Sequence, residues 1–258
     1  MTRRGRVVAI VQARASSERF PSKVLADVEG TPLLARLLRR LLRSRECDAV
    51  AVATSTAPED DAVAAIAAAE GVATVRGPLD DVLERYRLAA ERLDADIVVR
   101  VTGDCPLLDP TLVDAVVRTF REAGVDYASN VHPPTFPDGL DVEVISRAAL
   151  ERAAREARRP SEREHVTLYI AEREALFSRT SVTGDPDRSA MRWTVDYPDD
   201  LDFVRAVFRR FRGREDEFGV ADVLRALEED DVLRQLMPAH TRNEGLARGR
   251  AAEAEGPT

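Results

Sequence analysis

Val7-Val8-Ala9-Ile10-Val11-Gln12, followed after a polar loop by Thr31-Pro32-Leu33-Leu34-Ala35-Arg36-Leu37-Leu38-Arg39-Arg40-Leu41-Leu42-Arg43, reads as a buried strand and then an amphipathic helix. The helix is predicted over Pro32 to Arg43, with Thr31 as its N-cap, proline at its first position and the six leucines on one face. The same alternation recurs downstream. Ala49 to Ala53, Val72 to Val75 and Ile97 to Val101 read as strands, and Pro58 to Ala69, Leu79 to Leu93 and Thr111 to Ala123 as helices. Repeated strand-helix units predict an α/β fold with a doubly wound, mostly parallel sheet and right-handed crossovers. In that architecture ligands bind at the carboxyl ends of the strands.

After Ala128 the pattern changes. Asn130 to Gly139 holds three prolines and reads as an irregular arm, followed by a strand at Leu140 to Ile145 and helices at Arg147 to Arg158 and Ser161 to Glu174. A strand at Met191 to Val195, a helix from Asp199 to Phe211 and a helical hairpin to Leu236 complete the reading. Residues 1–237 are expected to form a single domain, with a first part over about 1–128 and a second region over about 129–190 that supplies substrate contacts, a dimer arm, or both. The Arg-Ala-Glu-Gly-rich stretch 238–258 is expected to be a disordered tail.

The chain has 258 residues, 44% of them hydrophobic, and a formal net charge of -8. That composition supports a substantial core and lacks the basic stripe of a nucleic-acid binder. Cys47 and Cys105 fit neither a disulfide framework nor a metal-ligand spacing, so the expectation is a reduced cytoplasmic protein, and Cys105 reads as a packing residue. The apolar run after the basic Met1 to Arg6 breaks at Gln12, too short for a signal core or a membrane span.

Of 38 basic residues only Lys23 is a lysine, and it lies in Gln12-Ala13-Arg14-Ala15-Ser16-Ser17-Glu18-Arg19-Phe20-Pro21-Ser22-Lys23, directly after the first strand. A compact point charge is not interchangeable with a guanidinium fork where a phosphate must be met. Arg14, Arg19 and Lys23 are therefore candidate anion ligands, against the alternative of a solvated basic turn. The loop has no glycine, which excludes a Walker loop and a GxGxxG fingerprint. Asp104, in Val101-Thr102-Gly103-Asp104-Cys105-Pro106, closes the fourth strand, and Asp196, in Thr194-Val195-Asp196-Tyr197-Pro198, closes a later one. Each is either a turn or cap residue or, taken together, a ligand of a hard divalent cation.

These stretches resemble the cytidylyltransferases of acidic sugars, the acylneuraminate and 3-deoxy-manno-octulosonate enzymes and especially the spore-coat polysaccharide F-like branch. The resemblance spans roughly Val7 to Phe211. It rests on QAR-x4-R-x-P-x-K at Gln12 to Lys23, VATS at Val52 to Ser55, RG and DDVLERY within Arg76 to Tyr86, and VRVTGDCPL at Val99 to Leu107. It continues through SN at Ser129 to Asn130, PDGLDVEV at Pro137 to Val144, SEREHVT at Ser161 to Thr167 and TVDYPDDL at Thr194 to Leu201.

The resemblance implies a nucleotide-diphospho-sugar transferase (GT-A-like) fold and transfer of CMP from CTP to an acidic acceptor, with release of pyrophosphate. It implies that Arg14, Arg19 and Lys23 hold the triphosphate, that Asp104 and Asp196 bind Mg2+, and that Ala13, Arg76 and Thr102 lie near base or ribose. Sugar-acid enzymes often have glutamine where this chain has Thr102, so cytosine recognition there needs backbone groups or another side chain. Asn130, Asp141, Glu143, Arg163, Glu164 and His165 fall in the acceptor half. No nucleic acid or membrane partner is expected, and a homodimer is. Two other readings compete. A glycosyltransferase of the same fold would use a DxD-like pair on one loop, and a non-catalytic nucleotide-binding scaffold would have lost Lys23, Asp104 or Asp196.

Overall fold

In the computed structural model, which describes residues 5–17 and 19–255, successive side chains of strand β1 (Val7–Gln12) enter two different cores. Val7, Ala9 and Val11 pack on one side of the sheet and Val8 and Ile10 on the other, the period of two that a strand imposes. The chain then runs through β2 (Asp27–Val28), β3 (Thr31–Pro32), α1 (Leu33–Leu41), β4 (Ala49–Ser55), α2 (Asp61–Ala69) and β5 (Ala73–Gly77). It continues through α3 (Val82–Arg92), β6 (Ile97–Thr102) and α4 (Pro110–Ala123). Leucines of α1 and valines of α4 fill the first core, and Leu83, Tyr86 and Ala90 of α3 fill the second.

The later part of the chain adds β7 (Tyr127–Ser129), β8 (Glu143–Ser146), α5 (Arg147–Glu156), α6 (Pro160–Glu164), α7 (Leu168–Ala171) and β9 (Arg179–Ser181). Four more helices follow: α8 (Pro198–Arg210), α9 (Val220–Glu229), α10 (Asp231–Gln235) and α11 (Glu244–Glu255). The seven-stranded sheet has the order β5-β4-β1-β6-β8-β7-β9. All neighbouring pairs are parallel except those made by β8, which runs antiparallel to β6 and to β7. The α/β, mostly parallel expectation holds. Among the described residues no helix is long and apolar enough to cross a membrane.

Local chemistry explains where the predicted boundaries move. Thr31 is not the cap of α1: Asp27-Val28 and Thr31-Pro32 pair across Glu29 and Gly30, whose φ values of 51° and 79° make a tight hairpin, and the helix starts only after Pro32. The helix expected from Leu79 begins at Val82, because the Asp81 carboxylate accepts the Glu84 N–H at 2.9 Å and sets the start there. The single helix expected over Ser161 to Glu174 is broken between α6 and α7, where buried Val166 sits at a φ of 54°. That is a strained position for a β-branched residue.

Met191 to Val195 is not a strand of the sheet. It makes one bridge, Asp138 to Arg192, and lies against Gly139, whose φ is 103° and where an added Cβ would stand 2.5 Å from the Thr194 nitrogen. The strand expected from Leu140 starts at Glu143. Composition alone predicts a disordered tail, yet residues 244–255 form α11, tied down by side chains described below.

Candidate active site

The loop after β1 is held from beneath by a residue that sequence reasoning passed over. Asp60 is fully buried, accepts the Ala15 N–H at 2.7 Å and the Ser55 N–H at 3.0 Å, and so pins the basic loop to the end of β4. Burial pushes its carboxyl up, but the Ser55 hydroxyl and these N–H donors hold it below its ordinary value. Ser22 then takes a left-handed conformation (φ 59°) and Lys23 turns inward, 8% exposed.

Asp104 reaches the same point because Gly103 allows the ends of β1 and β6 to close together. The Gly103 N–H donates to the Gln12 carbonyl at 2.8 Å, and an added Cβ would come within 2.9 Å of both Ala13 Cβ and that carbonyl oxygen. The Asp104 carbonyl in turn accepts the Val195 N–H at 2.9 Å, which brings the distant Asp196 alongside. The Asp200 carboxylate accepts the N–H groups of Asp196 at 2.7 Å and Tyr197 at 2.9 Å, so capping of α8 falls to Asp200 and leaves the Asp196 side chain free of that task.

Lys23 Nζ donates to Asp104 Oδ2 and to Asp196 Oδ1, both at 2.7 Å. Arg19 meets the same Asp196 oxygen at 2.5 Å, and Arg192 donates to the other at 3.1 Å while also binding Asp138 and Asp200. Burial disfavours charge on every member. It would raise both carboxyls, yet Lys23 holds Asp104 below the usual carboxylate range, and Lys23 with Arg19 holds Asp196 far below it. Against burial, the two carboxylates raise Lys23 above its ordinary value.

Two adjoining cavities open on this node. The larger, about 510 Å³, is flanked by Ala13, Arg14, Arg19, Arg85 and Glu164, and the smaller, about 280 Å³, by Arg100, Asp138, Asp141 and Glu143. Thr102, Asp104, His165 and Asp196 line both. The larger volume suits a nucleotide-sized ligand. Arg14 faces Glu164 loosely at 3.6 Å. Of His165, Nε2 is buried without a partner among the described residues, and burial followed by Arg100 lowers its pKa, so the ring is neutral near pH 7.

Not every predicted residue reaches the cavities. Arg76 is committed to the Ser55 and Ala57 carbonyls, both at 2.7 Å, and to Asp61, so it braces the loop after β4 and lines neither cavity. Asn130 is 1% exposed and bridges the Leu140 carbonyl and the Val142 N–H, both at 2.8 Å, which fixes the arm. Arg163 binds Asp81 and the Ala154 carbonyl and joins α6 to the start of α3. Asp141 does face the smaller cavity, paired with Arg242, and its carboxyl is pushed up to about 7, chiefly by burial. Glu143 pairs with Arg100 and accepts the Tyr127 hydroxyl at 2.5 Å. The Cys105 thiol is buried and pushed well up by burial and by Asp104, which fits packing and not nucleophilic chemistry.

The donor chemistry at the node fits a hard divalent ion. Two ionised carboxylates converge on one position already occupied by a cation, and open cavity volume leaves room for retained water. Another grouping, Asp199, Asp200 and His240, lines neither cavity, and its Asp200 is committed to Arg192 and the start of α8.

Comparison with known proteins gives a consistent answer. Residues 8–235 match the cytidylyltransferase family. The chain is 31% identical over 218 residues to the spore coat polysaccharide biosynthesis protein SpsF of Bacillus subtilis, covering 81% of this chain and 89% of that one. It is 31% identical over 238 residues to a 3-deoxy-manno-octulosonate cytidylyltransferase of Anaeromyxobacter dehalogenans, covering 78% and 97%. A solved cytidylyltransferase structure from Leptospira borgpetersenii superposes with a TM-score of 0.86 at 30% identity, over 92% of this chain and all of that one.

Proposed function

The chain belongs to the cytidylyltransferase family, and on that premise we propose that it transfers CMP from CTP to an acidic sugar or a related anionic acceptor for surface polysaccharide or similar biosynthesis. One observation carries the reading: two cavities, of about 510 and 280 Å³, meet at the Lys23–Asp104–Asp196 node. CTP occupies the larger and the acceptor the smaller, so the reacting atoms meet between them.

The reaction is an in-line displacement. An acceptor oxygen forms the new bond to the α-phosphorus, the bond to the pyrophosphate oxygen breaks, and the acceptor proton leaves. Arg14, Arg19 and Lys23 hold the triphosphate, and the site's main contribution is to fix the two reactants in line and to meet the charge that develops on the departing pyrophosphate. Asp104 and Asp196 would hold a Mg2+ ion, which would add to the neutralisation of that charge. Ala13 and Thr102 contact the base or ribose. In the smaller cavity Arg19, Arg100 and neutral His165 face the acceptor, with the Arg100–Glu143 pair fixing the wall.

The test is pyrophosphate release. Purified protein with CTP and Mg2+ should release pyrophosphate only when a suitable acidic acceptor is added, and should prefer CTP over UTP, ATP and GTP. Stabilisation by nucleotide-sugars alone would instead indicate the glycosyltransferase class.

A further inference from the structure

Helix α11 lies beyond the residues matched to the family, which end at 235, yet it walls the larger cavity with Gly245, Arg248 and Gly249. Its attachments are specific. The Glu253 carboxylate accepts the Ser161 N–H at 2.5 Å and the Ser161 hydroxyl at 2.9 Å, Arg250 pairs with Glu172, and Glu244 accepts the Tyr197 hydroxyl at 2.6 Å. Just before it, Arg242 pairs with Asp141 and donates to the Phe136 carbonyl, and His240 meets Asp199 at 2.8 Å while packing on the Tyr197 ring.

Gly245 and Gly249 are four residues apart and so share one face of the helix. An added Cβ at Gly249 would meet nothing within 4 Å, and one at Gly245 would stand 3.8 Å from Arg19 Nη1, so the missing side chains leave cavity space beside the basic loop. The other cations of this cavity are mostly engaged. Lys23 holds two carboxylates, Arg19 holds Asp196, and Arg85 donates to the Pro78 and Leu79 carbonyls. Arg248 is only loosely placed: its side chain is 63% exposed, 3.7 Å from Glu244 and 3.5 Å from the Tyr197 hydroxyl. A guanidinium so placed can turn onto a phosphate without breaking a strong ion pair.

We propose that α11 is a substrate-contacting wall of the active site and that Arg248 is an additional phosphate ligand, acting on the β- and γ-phosphates of the nucleotide. This rests on the reading of the larger cavity as the CTP site. CMP has neither of those phosphates, which separates the two ideas experimentally.

The experiment is calorimetric titration of the full-length protein with CTP, CMP and pyrophosphate in the presence of Mg2+, for wild type, Arg248→Ala and Gly249→Leu. Arg248→Ala should weaken CTP and pyrophosphate about tenfold and leave CMP unchanged, the loss of one charge-assisted hydrogen bond. Gly249→Leu, which suits a helix better than glycine and so keeps the fold, should weaken CTP by steric filling. Unchanged CTP affinity in Arg248→Ala, or equal weakening of CTP and CMP, would overturn the proposal. A wild-type protein that binds no CTP at all would overturn the nucleotide reading itself, and the role of Arg248 with it.

Discussion

Removing the Lys23 ammonium should leave two carboxylates facing each other at the centre of the site, and the consequence can be worked out from the geometry. Lys23 is 10% exposed along its side chain and donates to both Asp104 and Asp196 at 2.7 Å. Taking one partner from a buried ion pair costs about 3–5 kcal/mol. Arg19 and Arg192 still neutralise Asp196, so Lys23→Ala should fall near the lower end, about 3 kcal/mol. For a chain of this size that lowers the thermal midpoint by about 6–12 °C.

A divalent ion offers the same neutralisation, so the loss should depend on magnesium. An ion at a hundred times its dissociation constant restores about 2.7 kcal/mol, most of the deficit. The assay is scanning calorimetry of wild type and Lys23→Ala with EDTA and with millimolar Mg2+. In the wild type the depressed carboxylates contribute stability above their unfolded values that is lost as pH falls through the folded ones. In the variant one carboxyl of the facing pair is raised instead, so its stability improves as pH falls and the two proteins converge under mildly acid conditions. A deficit that is the same with EDTA and with Mg2+, or the absence of any deficit, would refute the reasoning.

Asp104→Asn should abolish pyrophosphate release while circular dichroism stays native; an unfolded variant would show that Asp104 is a turn residue and not a ligand. Glu162, 2% exposed along its side chain, is pushed up by burial but held at about 2 by the Arg158 and Arg159 N–H groups and the Arg159 and Arg173 guanidiniums. Its stabilisation is complete above the unfolded value of 4.5 and is lost as pH falls through about 2, so Glu162→Gln should cost about 3 kcal/mol at pH 7 by urea titration and much less in strong acid. Gly139→Ala places a Cβ 2.5 Å from the Thr194 nitrogen at a φ of 103°, and should yield little soluble protein or a lowered thermal midpoint.

The parallel half of the sheet was legible because its strands are continuous apolar runs separated by helices with one leucine- or valine-rich face. The ends of elements were less so. The Glu29–Gly30 hairpin turns on two positive φ angles, and a Glu-Gly pair carries a weaker turn signal than Asn-Gly. The segment at Met191 to Val195 looks like a strand because Trp193 and Val195 are buried, but they are buried by packing against Gly139 and the core, with one bridge to show for it. The break at Val166 has no sequence signal of its own, since valine ordinarily avoids that conformation.

Within the site, Lys23, Asp104 and Asp196 were readable because each sits next to a recognisable strand or proline signal. Arg76, Asn130 and Arg163 line neither cavity: motif membership does not distinguish a ligand-facing side chain from one that satisfies backbone groups. Asp60, Arg192 and the arginines of the C-terminal segment were missed: their roles depend on long-range approach, and α11 in particular is held by pairs such as Ser161–Glu253 that no local composition announces.

The lone lysine of an arginine-rich chain now has a physical rationale. Arg192 reaches Asp138, Asp196 and Asp200 with the three nitrogens of its planar fork, Nη2 serving both Asp196 and Asp200, an arrangement that fixes three carboxylates in one geometry and is suited to a permanent scaffold. Lys23 brings one compact charge on a flexible stem to a single point 2.7 Å from two carboxylates. Its three N–H donors radiate from one centre, and rotation of its stem would let it turn toward a phosphate when another cation takes over the carboxylates. Arg192 therefore builds the frame, and on the proposed reading a lysine at position 23 suits a cation that exchanges carboxylates for a phosphate.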